Sequence, residues 1–248
     1  MHWWKWMVNT MAELEQPWEL AENVFAACTN RLGGYSTSPY AELNLGRHVG
    51  DQPGRVRLNR DVIKTQLALP AEPYWLTQVH GSQVVEVAGL TRVSNPEADG
   101  SYTRRVDTVL AIQVADCLPI LISAADGSEI TALHAGWRGL HAGVIQAGLA
   151  RLSSRDLVAW VGPGIRQCHF EVGLELKAAF PETYFCEGND DQHLYLDLAG
   201  YAVNLLSKGG VTAIIDSKIC TVCCNQRYFS HRHEGLTGRF AALIWKTR

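Results

Sequence analysis

The chain has 248 residues, 47% of which are apolar, so it can bury the core of one large domain or of two small ones. Its formal net charge of -3 excludes a protein that holds nucleic acid or an anionic membrane through bulk positive charge. We therefore expect neither nucleic acid nor a membrane among its partners.

The first residues, Met1–Met7, are strongly aromatic, and polar residues follow them at once. This stretch is too short to span a membrane or to form the apolar region of a signal peptide. We interpret residues 1–23 as an N-terminal leader, either unstructured or packed on the surface, and residues 24–248 as a single catalytic domain. We also expect a cytoplasmic protein.

Short apolar runs bounded by glycine, proline or polar residues predict β-strands. In chain order these runs are Val24–Thr29, Tyr74–Val79, Val84–Val87, Thr108–Val114, Leu118–Ser123, Glu129–His134, Leu157–Val161, Leu194–Leu196, Val211–Ile215 and Phe240–Trp245. Clusters of turn-forming residues separate several of them, at Asn30–Ser36, Asn95–Ser101 and Gly162–Gly164.

Helical spacing of apolar residues predicts helices between these strands. We expect them over Pro53–Leu69, Gly143–Leu152, Leu174–Phe180 and Leu198–Leu206. Asp197 would cap the last of these helices, and Gly209 and Gly210 would end it. Because strands and helices alternate irregularly and several strands are neighbours, the sequence predicts an α+β (mixed α/β) single domain with packed layers of mixed β-sheet and helices.

The seven cysteines are an odd number in a chain without a secretory signal, so metal-binding or reactive thiols are expected rather than a disulfide framework. The most informative of them is Cys117, which lies between His80 and His134 along the chain. Each of the three residues ends or interrupts a strand-like run. A thiolate with two imidazoles suits zinc and leaves a fourth position open, which favours a catalytic metal centre. The alternative is a buried structural cysteine with two hydrogen-bonded histidines.

Asp116 directly precedes this cysteine. Its carboxylate would orient a histidine ligand or act as a general base on a metal-bound water, so we include Asp116 among the catalytic residues. The alternative is an aspartate that only forms a turn.

Three further residues are candidates for binding substrate. Arg138 lies between glycines shortly after His134, where its guanidinium group would hold a phosphate through paired hydrogen bonds. The alternative is a surface arginine packed over Trp137. Asn44 and His48 lie in a polar loop, and the alternative for His48 is an ordinary loop histidine without a role in binding.

A second set of thiols and imidazoles lies in Cys220–Cys224 and His231–His233. A Cys-x-x-Cys with a His-x-His is a rival zinc site. The two histidines stand closer together than in a zinc finger, however, and no helical pattern separates the halves. We therefore favour buried or redox-capable thiols here, and we expect Cys168, in a glycine-bounded loop, to line the cleft.

Motifs in register along nearly the whole chain resemble the YfiH-like family, described as laccase-domain polyphenol oxidases and as purine nucleoside phosphorylases. They are Asn44–Gly46, Val49–Asp51, Thr77–Gly81, Ala98–Gly100, Ala115–Pro119, His134–Gly139, Gly162–Gly164, Phe170–Gly173 and Thr237–Arg239. The resemblance implies a CNF/YfiH-like fold, with His80, Cys117 and His134 at the positions of the family's zinc ligands.

The resemblance also implies several activities. These are phosphorolysis of purine nucleosides, phosphorolysis of methylthioadenosine, deamination of adenosine and, in bacterial members, peptidoglycan editing. A copper-dependent, laccase-like oxidation of phenols is attributed to the family as well. We expect zinc as the cofactor, with copper as the alternative, and a monomer that acts on a purine nucleoside and phosphate.

The residues favour zinc chemistry over the laccase reaction. A laccase needs several coppers bound mainly by histidine, and the chain has only nine histidines. Two other classes stay open. One is a cysteine-dependent amide hydrolase acting on cell-wall precursors, with Cys117 as nucleophile, His80 or His134 as base and Asp116 orienting that base. The other is a binding module without turnover.

Overall fold

The computed structural model describes residues 21–89 and 95–248. Most of the predicted leader, residues 1–20, lies outside the described residues. Within the described ranges, no helix is long and apolar enough to cross a membrane.

The strands of the described chain are β1 (Val24–Cys28), β2 (Val84–Glu86), β3 (Gly100–Thr103), β4 (Thr108–Val114), β5 (Leu118–Ala124), β6 (Ile130–Ala135), β7 (Leu157–Val161), β8 (Glu171–Gly173), β9 (Phe185–Glu187), β10 (His193–Leu196), β11 (Ala213–Asp216) and β12 (Phe240–Lys246). The α-helices are α1 (Pro53–Gln66), α2 (Trp137–His141), α3 (Val144–Leu149), α4 (Leu198–Lys208) and α5 (His231–Glu234). Single 3₁₀ turns lie at Leu174–Ala178 and Glu182–Tyr184.

The large sheet is mixed and has the strand order β11-β7-β5-β6-β3-β2. Its central strands β7, β5, β6 and β3 pair antiparallel, whereas β11 and β2 add in parallel at the two edges. A small antiparallel sheet has the order β1-β12-β4, and β8, β10 and β9 form a third sheet.

The small sheet lies between two apolar layers because its side chains alternate in direction. In β4, Leu110, Ile112 and Val114 pack in a cluster that includes residues of the large sheet. Val109 and Ala111, on the opposite face, pack in the cluster that contains Ile63 of α1 and Trp75. Strand β12 shows the same alternation, so α1 covers one face of the small sheet and the large sheet covers the other.

The opposite face of the large sheet is covered by helices. Ile120 of β5 and Leu133 of β6 pack in a cluster with Val144 of α3 and with Ala202 and Leu206 of α4. The molecule is therefore layered as helix, small sheet, large sheet and helices. This architecture confirms the predicted mixed α+β single domain with packed layers of sheet and helix.

Several element predictions need correction. Residues 74–79 form no strand of their own and make only isolated bridges, Tyr74 with Leu110 and Thr77 with Glu97. The side chain of Gln78 takes the place of a backbone partner, because its amide donates to the Gln113 carbonyl at 2.7 Å and accepts from the Gln113 N–H at 2.9 Å.

Helix boundaries also differ from the prediction. Gly143 adopts a left-handed conformation with φ 88°, which separates α2 from α3, and α3 ends at Leu149 rather than at Leu152. The helix predicted at Leu174–Phe180 is a 3₁₀ turn. Helix α4 follows the prediction, because the Asp197 carboxylate caps it by accepting from the Gly200 N–H at 2.8 Å.

Candidate active site

The structure brings His80, Cys117 and His134 together. Each offers one ligand atom, and these atoms lie within 4.8 Å of one another. Cys117 directly precedes β5, and His134 lies on the neighbouring strand β6. His80 comes from the irregular segment before β2, where its φ of 62° is in the left-handed region. The imidazole rings of His80 and His134 meet edge to face with centroids 4.8 Å apart.

A buried carboxylate, Asp99, holds both histidines in place. Its Oδ1 lies 2.8 Å from Nδ1 of His134 and accepts the backbone N–H of His80 at 2.9 Å. Its Oδ2 accepts the backbone N–H groups of Val79 at 3.2 Å and Gly81 at 2.6 Å. Burial opposes ionisation, but the hydrogen bonds from His134, Gly81 and His80 keep the pKa of Asp99 below its usual value.

The thiol and its neighbouring imidazole stabilise each other's charged forms. Burial opposes ionisation of Cys117, but the charge of His134 and hydrogen bonds from His134 and His80 lower the pKa of the thiol to about 6. Burial also opposes a charge on His134, yet the Cys117 thiolate and Asp99 raise the pKa of its imidazole to about 9. A thiolate is therefore available at neutral pH, the form in which cysteine binds metal or acts as a nucleophile.

Gly136 leaves room for this thiolate. A Cβ at this position would lie 2.7 Å from Cys117 Sγ and 3.4 Å from Cδ2 of His80. The backbone of Gly136, with φ -76° and ψ 169°, is open to any residue. Space beside the sulfur, rather than backbone conformation, is thus the reason that glycine follows β6 here.

The donor set fits a metal ion. One thiolate and two imidazoles suit zinc, and they also suit a single copper. Because Nδ1 of His134 faces Asp99, its Nε2 is the nitrogen that would bind the metal, in the usual arrangement of a histidine ligand oriented by a carboxylate. Three protein ligands would leave a coordination position open towards the adjacent cavity, which the same three residues line.

Asp116 joins two parts of the chain instead of orienting a histidine. Its Oδ1 accepts the hydroxyl groups of Thr221 at 2.6 Å and Ser230 at 2.7 Å, and its Oδ2 accepts the backbone N–H of Arg232 at 2.6 Å. Its φ of 91° also makes it a turn residue. Asp99 takes the orienting role that was expected of Asp116. Asp116 instead fixes the segment that contains Thr221, Ser230 and Arg232 beside the thiolate.

A cavity of about 400 Å³ adjoins the cluster and is bordered by cationic side chains. We call Arg138, Arg232 and Arg239, which all line it, the arginine wall. Among the described residues, none of these three guanidinium groups pairs with a carboxylate. Asp116 also lines the cavity, but its carboxylate already accepts three hydrogen bonds. The arginine wall is thus suited to an anionic ligand.

The members of the arginine wall are held in different ways. Arg138 is exposed, and its guanidinium lies 4.2 Å from the centroid of the Trp137 ring, as the surface alternative predicted. Arg232 donates to the Glu171 carbonyl at 2.8 Å. Arg239 is more enclosed, and this burial lowers the pKa of its guanidinium. The guanidinium donates hydrogen bonds to neighbouring backbone carbonyls.

The polar loop predicted to bind substrate divides between two roles. His48 lines the cavity, where burial and the charges of Arg239 and Arg60 hold its pKa below the usual 6.5. Asn44 is fully buried and does not line the cavity. Its side chain accepts the backbone N–H of Arg239 at 2.9 Å and donates to Asp51 at 2.9 Å. Asn44 therefore positions Arg239, which differs from the expected direct contact with substrate.

The second set of thiols is partly brought together. Cys220 and Cys223 lie with Cys168 and His169, and the ligand atoms of these four residues are within 4.8 Å of one another. The two histidines of the predicted His-x-His do not belong to this group, and both lie in α5. All seven cysteines are free thiols in the structure.

Several residues of the two candidate sites were not predicted from the sequence. Asp99 was part of a recognised motif, Ala98–Gly100, but its partners are mostly backbone N–H groups, which a sequence does not reveal. Arg232 and Arg239 lie far along the chain from His80 and reach the cavity only through the fold. The residue next to Cys168, His169, had no paired spacing that would have singled it out.

Comparison with known proteins gives consistent matches over almost the whole chain. The family described as multi-copper polyphenol oxidoreductase laccase matches residues 25–247. The purine nucleoside phosphorylases YfiH of Shigella flexneri and of Escherichia coli K12 are each 39% identical to this chain over 245 residues, which cover 95% of this chain and 99% of theirs. The crystal structure of Neisseria meningitidis protein NMB0706 superimposes with a TM-score of 0.88 at 38% identity, covering 94% of this chain and 98% of that one.

Proposed function

The chain belongs to the YfiH, laccase-domain family, and from this membership and its cavity we propose that it is a zinc-dependent purine nucleoside phosphorylase. The observation that carries the proposal is the position of the arginine wall in the same cavity as the cluster of His80, Cys117 and His134. A phosphate and a nucleoside must meet in one site, and the arginine wall supplies unpaired positive charge for the phosphate.

In phosphorolysis, different parts of the cavity would bind the phosphate and the purine. A phosphate oxygen attacks the anomeric carbon of the ribose, the glycosidic C–N bond breaks, and its electron pair leaves with the purine, which takes up a proton. Arg138 and Arg239 would hold the phosphate in line with the anomeric carbon, which lowers the entropy cost of bringing the two reactants together. Phe170, which also lines the cavity, offers an apolar surface for the purine.

The cluster would bind zinc through His80, Cys117 and His134, and the ion would supply Lewis-acid chemistry at the edge of the cavity. Asp99 keeps the His134 ring in the orientation that such a ligand needs. His48 carries less positive charge than an ordinary histidine because its pKa is lowered, so it would accept or donate hydrogen bonds to the sugar or phosphate as a neutral imidazole.

Three finer assignments extend the proposal. We assign methylthioadenosine phosphorolysis and adenosine deamination to the same cavity, the latter by attack of water on the purine ring with loss of ammonia. The family resemblance also implies that these activities contribute to peptidoglycan editing, and this role stays a prediction. All three depend on the phosphorolysis site being correct.

One observation favours a second candidate, a cysteine-dependent hydrolase. The Cys117 thiolate lies beside the imidazole of His134, and His134 is bonded in turn to Asp99, which is the order of nucleophile, base and orienting carboxylate. Such an enzyme would need no metal. The two candidates therefore differ in their response to a chelator.

The test is a metal analysis of the purified chain together with an assay of inosine or adenosine with and without phosphate. The proposal expects zinc, and release of free base that depends on phosphate and is lost in His80→Ala. Turnover that survives a strong chelator and is blocked by alkylation of Cys117 would support the hydrolase instead. Copper in multiples, with oxygen uptake on phenols, would support the polyphenol oxidase.

A further inference from the structure

We propose that Cys168, His169, Cys220 and Cys223 form a second, structural zinc site, separate from the cavity. Three sulfur atoms and one imidazole nitrogen make up the group, and their ligand atoms lie within 4.8 Å of one another. None of these four described residues lines the cavity. The proposal does not depend on which reaction the cavity performs.

Four of the six distances within the group match the edges of a zinc tetrahedron, and the other two are no longer than 4.8 Å. Zn–S bonds of about 2.3 Å and a Zn–N bond of about 2.0–2.1 Å require S···S edges of about 3.8 Å and S···N edges of about 3.5 Å. The Sγ atoms of Cys168 and Cys223 are 3.8 Å apart. Nδ1 of His169 lies 3.3, 3.6 and 3.4 Å from the Sγ atoms of Cys168, Cys220 and Cys223, respectively.

The same distances separate this arrangement from a disulfide. A sulfur–sulfur bond is about 2.05 Å long, whereas Cys168 Sγ and Cys223 Sγ are 3.8 Å apart and both thiols are free. A disulfide would also leave Cys220 and the imidazole of His169 without a role. Four donors that surround one point are what a closed, four-coordinate structural zinc site requires.

Backbone hydrogen bonds hold the two contributing segments side by side. The Gly164 N–H donates to the Ile219 carbonyl at 3.2 Å, and the Thr221 N–H donates to the Gly164 carbonyl at 3.1 Å. Local turns then aim the ligands, because the His169 N–H donates to the Arg166 carbonyl and the Cys224 N–H to the Cys220 carbonyl, each at 2.9 Å. Backbone hydrogen bonds therefore fix the two segments that carry the four donors.

An ion bound by these four residues would link two segments that form walls of the cavity. The segment after His169 contributes Phe170 to the cavity, and the segment after Cys223 contributes Arg232. Direct contact between these walls includes the hydrogen bond from Arg232 to the Glu171 carbonyl at 2.8 Å. We therefore assign the second zinc a supporting role, in which no part of the substrate touches it.

The test is the zinc content of wild-type protein and single variants after dialysis against a weak chelator under reducing conditions. Cys168→Ser and Cys223→Ser alter exposed ligands, so neither change disturbs the core. Cys186→Ser is the matched control, since this thiol is also exposed and lies outside the group. We expect Cys186→Ser to hold as much zinc as wild type, and Cys168→Ser and Cys223→Ser to hold one zinc ion fewer per chain.

Cobalt(II) substitution and thermal unfolding of Cys117→Ser, which lacks the cavity site, provide readouts independent of activity. This variant should show the intense absorption of tetrahedral cobalt bound by several thiolates, and a chelator should lower its Tm. Adding Cys223→Ser should abolish both effects. The proposal is overturned if Cys168→Ser and Cys223→Ser retain as much zinc as wild type, or if the purified protein contains a disulfide between Cys168 and Cys223 and no zinc there.

Discussion

Asp99 Oδ1 lies 2.8 Å from Nδ1 of His134, on a carboxylate that solvent does not reach. The same oxygen accepts the backbone N–H of His80, so one buried group sets the positions of two residues that are distant along the chain. The geometry of the cluster therefore depends on a residue that would not itself touch a metal.

We expect Asp99→Asn to weaken zinc binding at the cavity site by about 10–100-fold, the usual effect of losing a carboxylate that orients a ligand. The amide keeps one accepting oxygen, but its NH2 group would face N–H donors in place of the second carboxylate oxygen, and the negative charge beside His134 is lost. Competition with a chromogenic chelator measures the affinity. Asp191→Asn, at an exposed carboxylate, is the control, and equal zinc affinity in the two variants would contradict the assigned role.

Gly136→Ala should displace the Cys117 sulfur, because the new Cβ would lie 2.7 Å from it. We expect loss of zinc from the cavity site and a decrease in kcat/KM of at least about tenfold, equivalent to roughly 1.4 kcal/mol. Gly54→Ala is a matched control, since a Cβ there meets nothing within 4 Å. Full zinc occupancy in Gly136→Ala would show that the site adapts to the added methyl group.

In metal-free protein, alkylation of Cys117 should follow an ionisation near pH 6, since the neighbouring His134 and His80 lower the pKa of this thiol. Because the thiolate is the reactive form, the alkylation rate should rise as the pH increases through the lowered pKa and should then level off. Peptide mass spectrometry with iodoacetamide separates Cys117 from the exposed cysteines. Zinc should protect it, and a profile centred near the ordinary value of 9.0 would exclude the thiolate–imidazolium pair.

Arg138→Met should raise the KM for phosphate more than the KM for the nucleoside. A hydrogen bond to a charged group contributes about 1.5–3 kcal/mol, which corresponds to roughly 10–100-fold in affinity. Arg151→Met is the control, because Arg151 also lies over an aromatic ring, that of Tyr102, but outside the cavity. An unchanged phosphate KM in Arg138→Met would remove this residue from the phosphate site.

Glu234→Gln should destabilise the protein by about 1 kcal/mol near neutral pH, through the loss of its ion pair with Arg31 at 2.9 Å. Burial raises the pKa of Glu234, but the bonds from Arg31, Thr237 and Ser230 outweigh it and lower that pKa from 4.5. A lowered folded-state pKa contributes stability above pH 4.5 that is lost as the pH falls through the folded value.

Urea denaturation of wild type and Glu234→Gln across this pH range checks the prediction. The difference between them should be largest near neutrality and should close under acid conditions. Glu182→Gln, at an exposed position, should show little difference at any pH. A difference that persists unchanged into acid would assign the effect to packing rather than to charge.

Apolar runs in the sequence identified most of the strands that are buried on both faces. β4, β5, β7 and β12 are continuous apolar runs, and their predicted bounds differ from the structure by no more than one residue. Strand β3 was missed because Gly100–Thr103 resembles a turn in composition, and only its place between β2 and β6 makes it a buried strand. Tertiary pairing, rather than local propensity, decided that element.

In the candidate site, too, residues with a local sequence signal were predicted, and residues that depend on tertiary contacts were not. His80, Cys117 and His134 were recognisable because reactive side chains at strand ends stand out from an apolar background. Asp99 and Arg239 could not be assigned roles, since one acts mainly through backbone N–H groups and the other is positioned by the buried amide of Asn44. Such contacts exist only after the segments have been brought together.

The order of strands in the small sheet has a consequence for biosynthesis. Strand β12 lies between β1 and β4, so residues 240–246 must leave the ribosome before these two earlier strands acquire their common neighbour. Until then, the apolar faces around Leu110 and Ile112 are incompletely covered. The small sheet therefore forms only after synthesis has passed β12, and a nascent chain that already carries all three cavity ligands still lacks Arg239, which directly precedes β12.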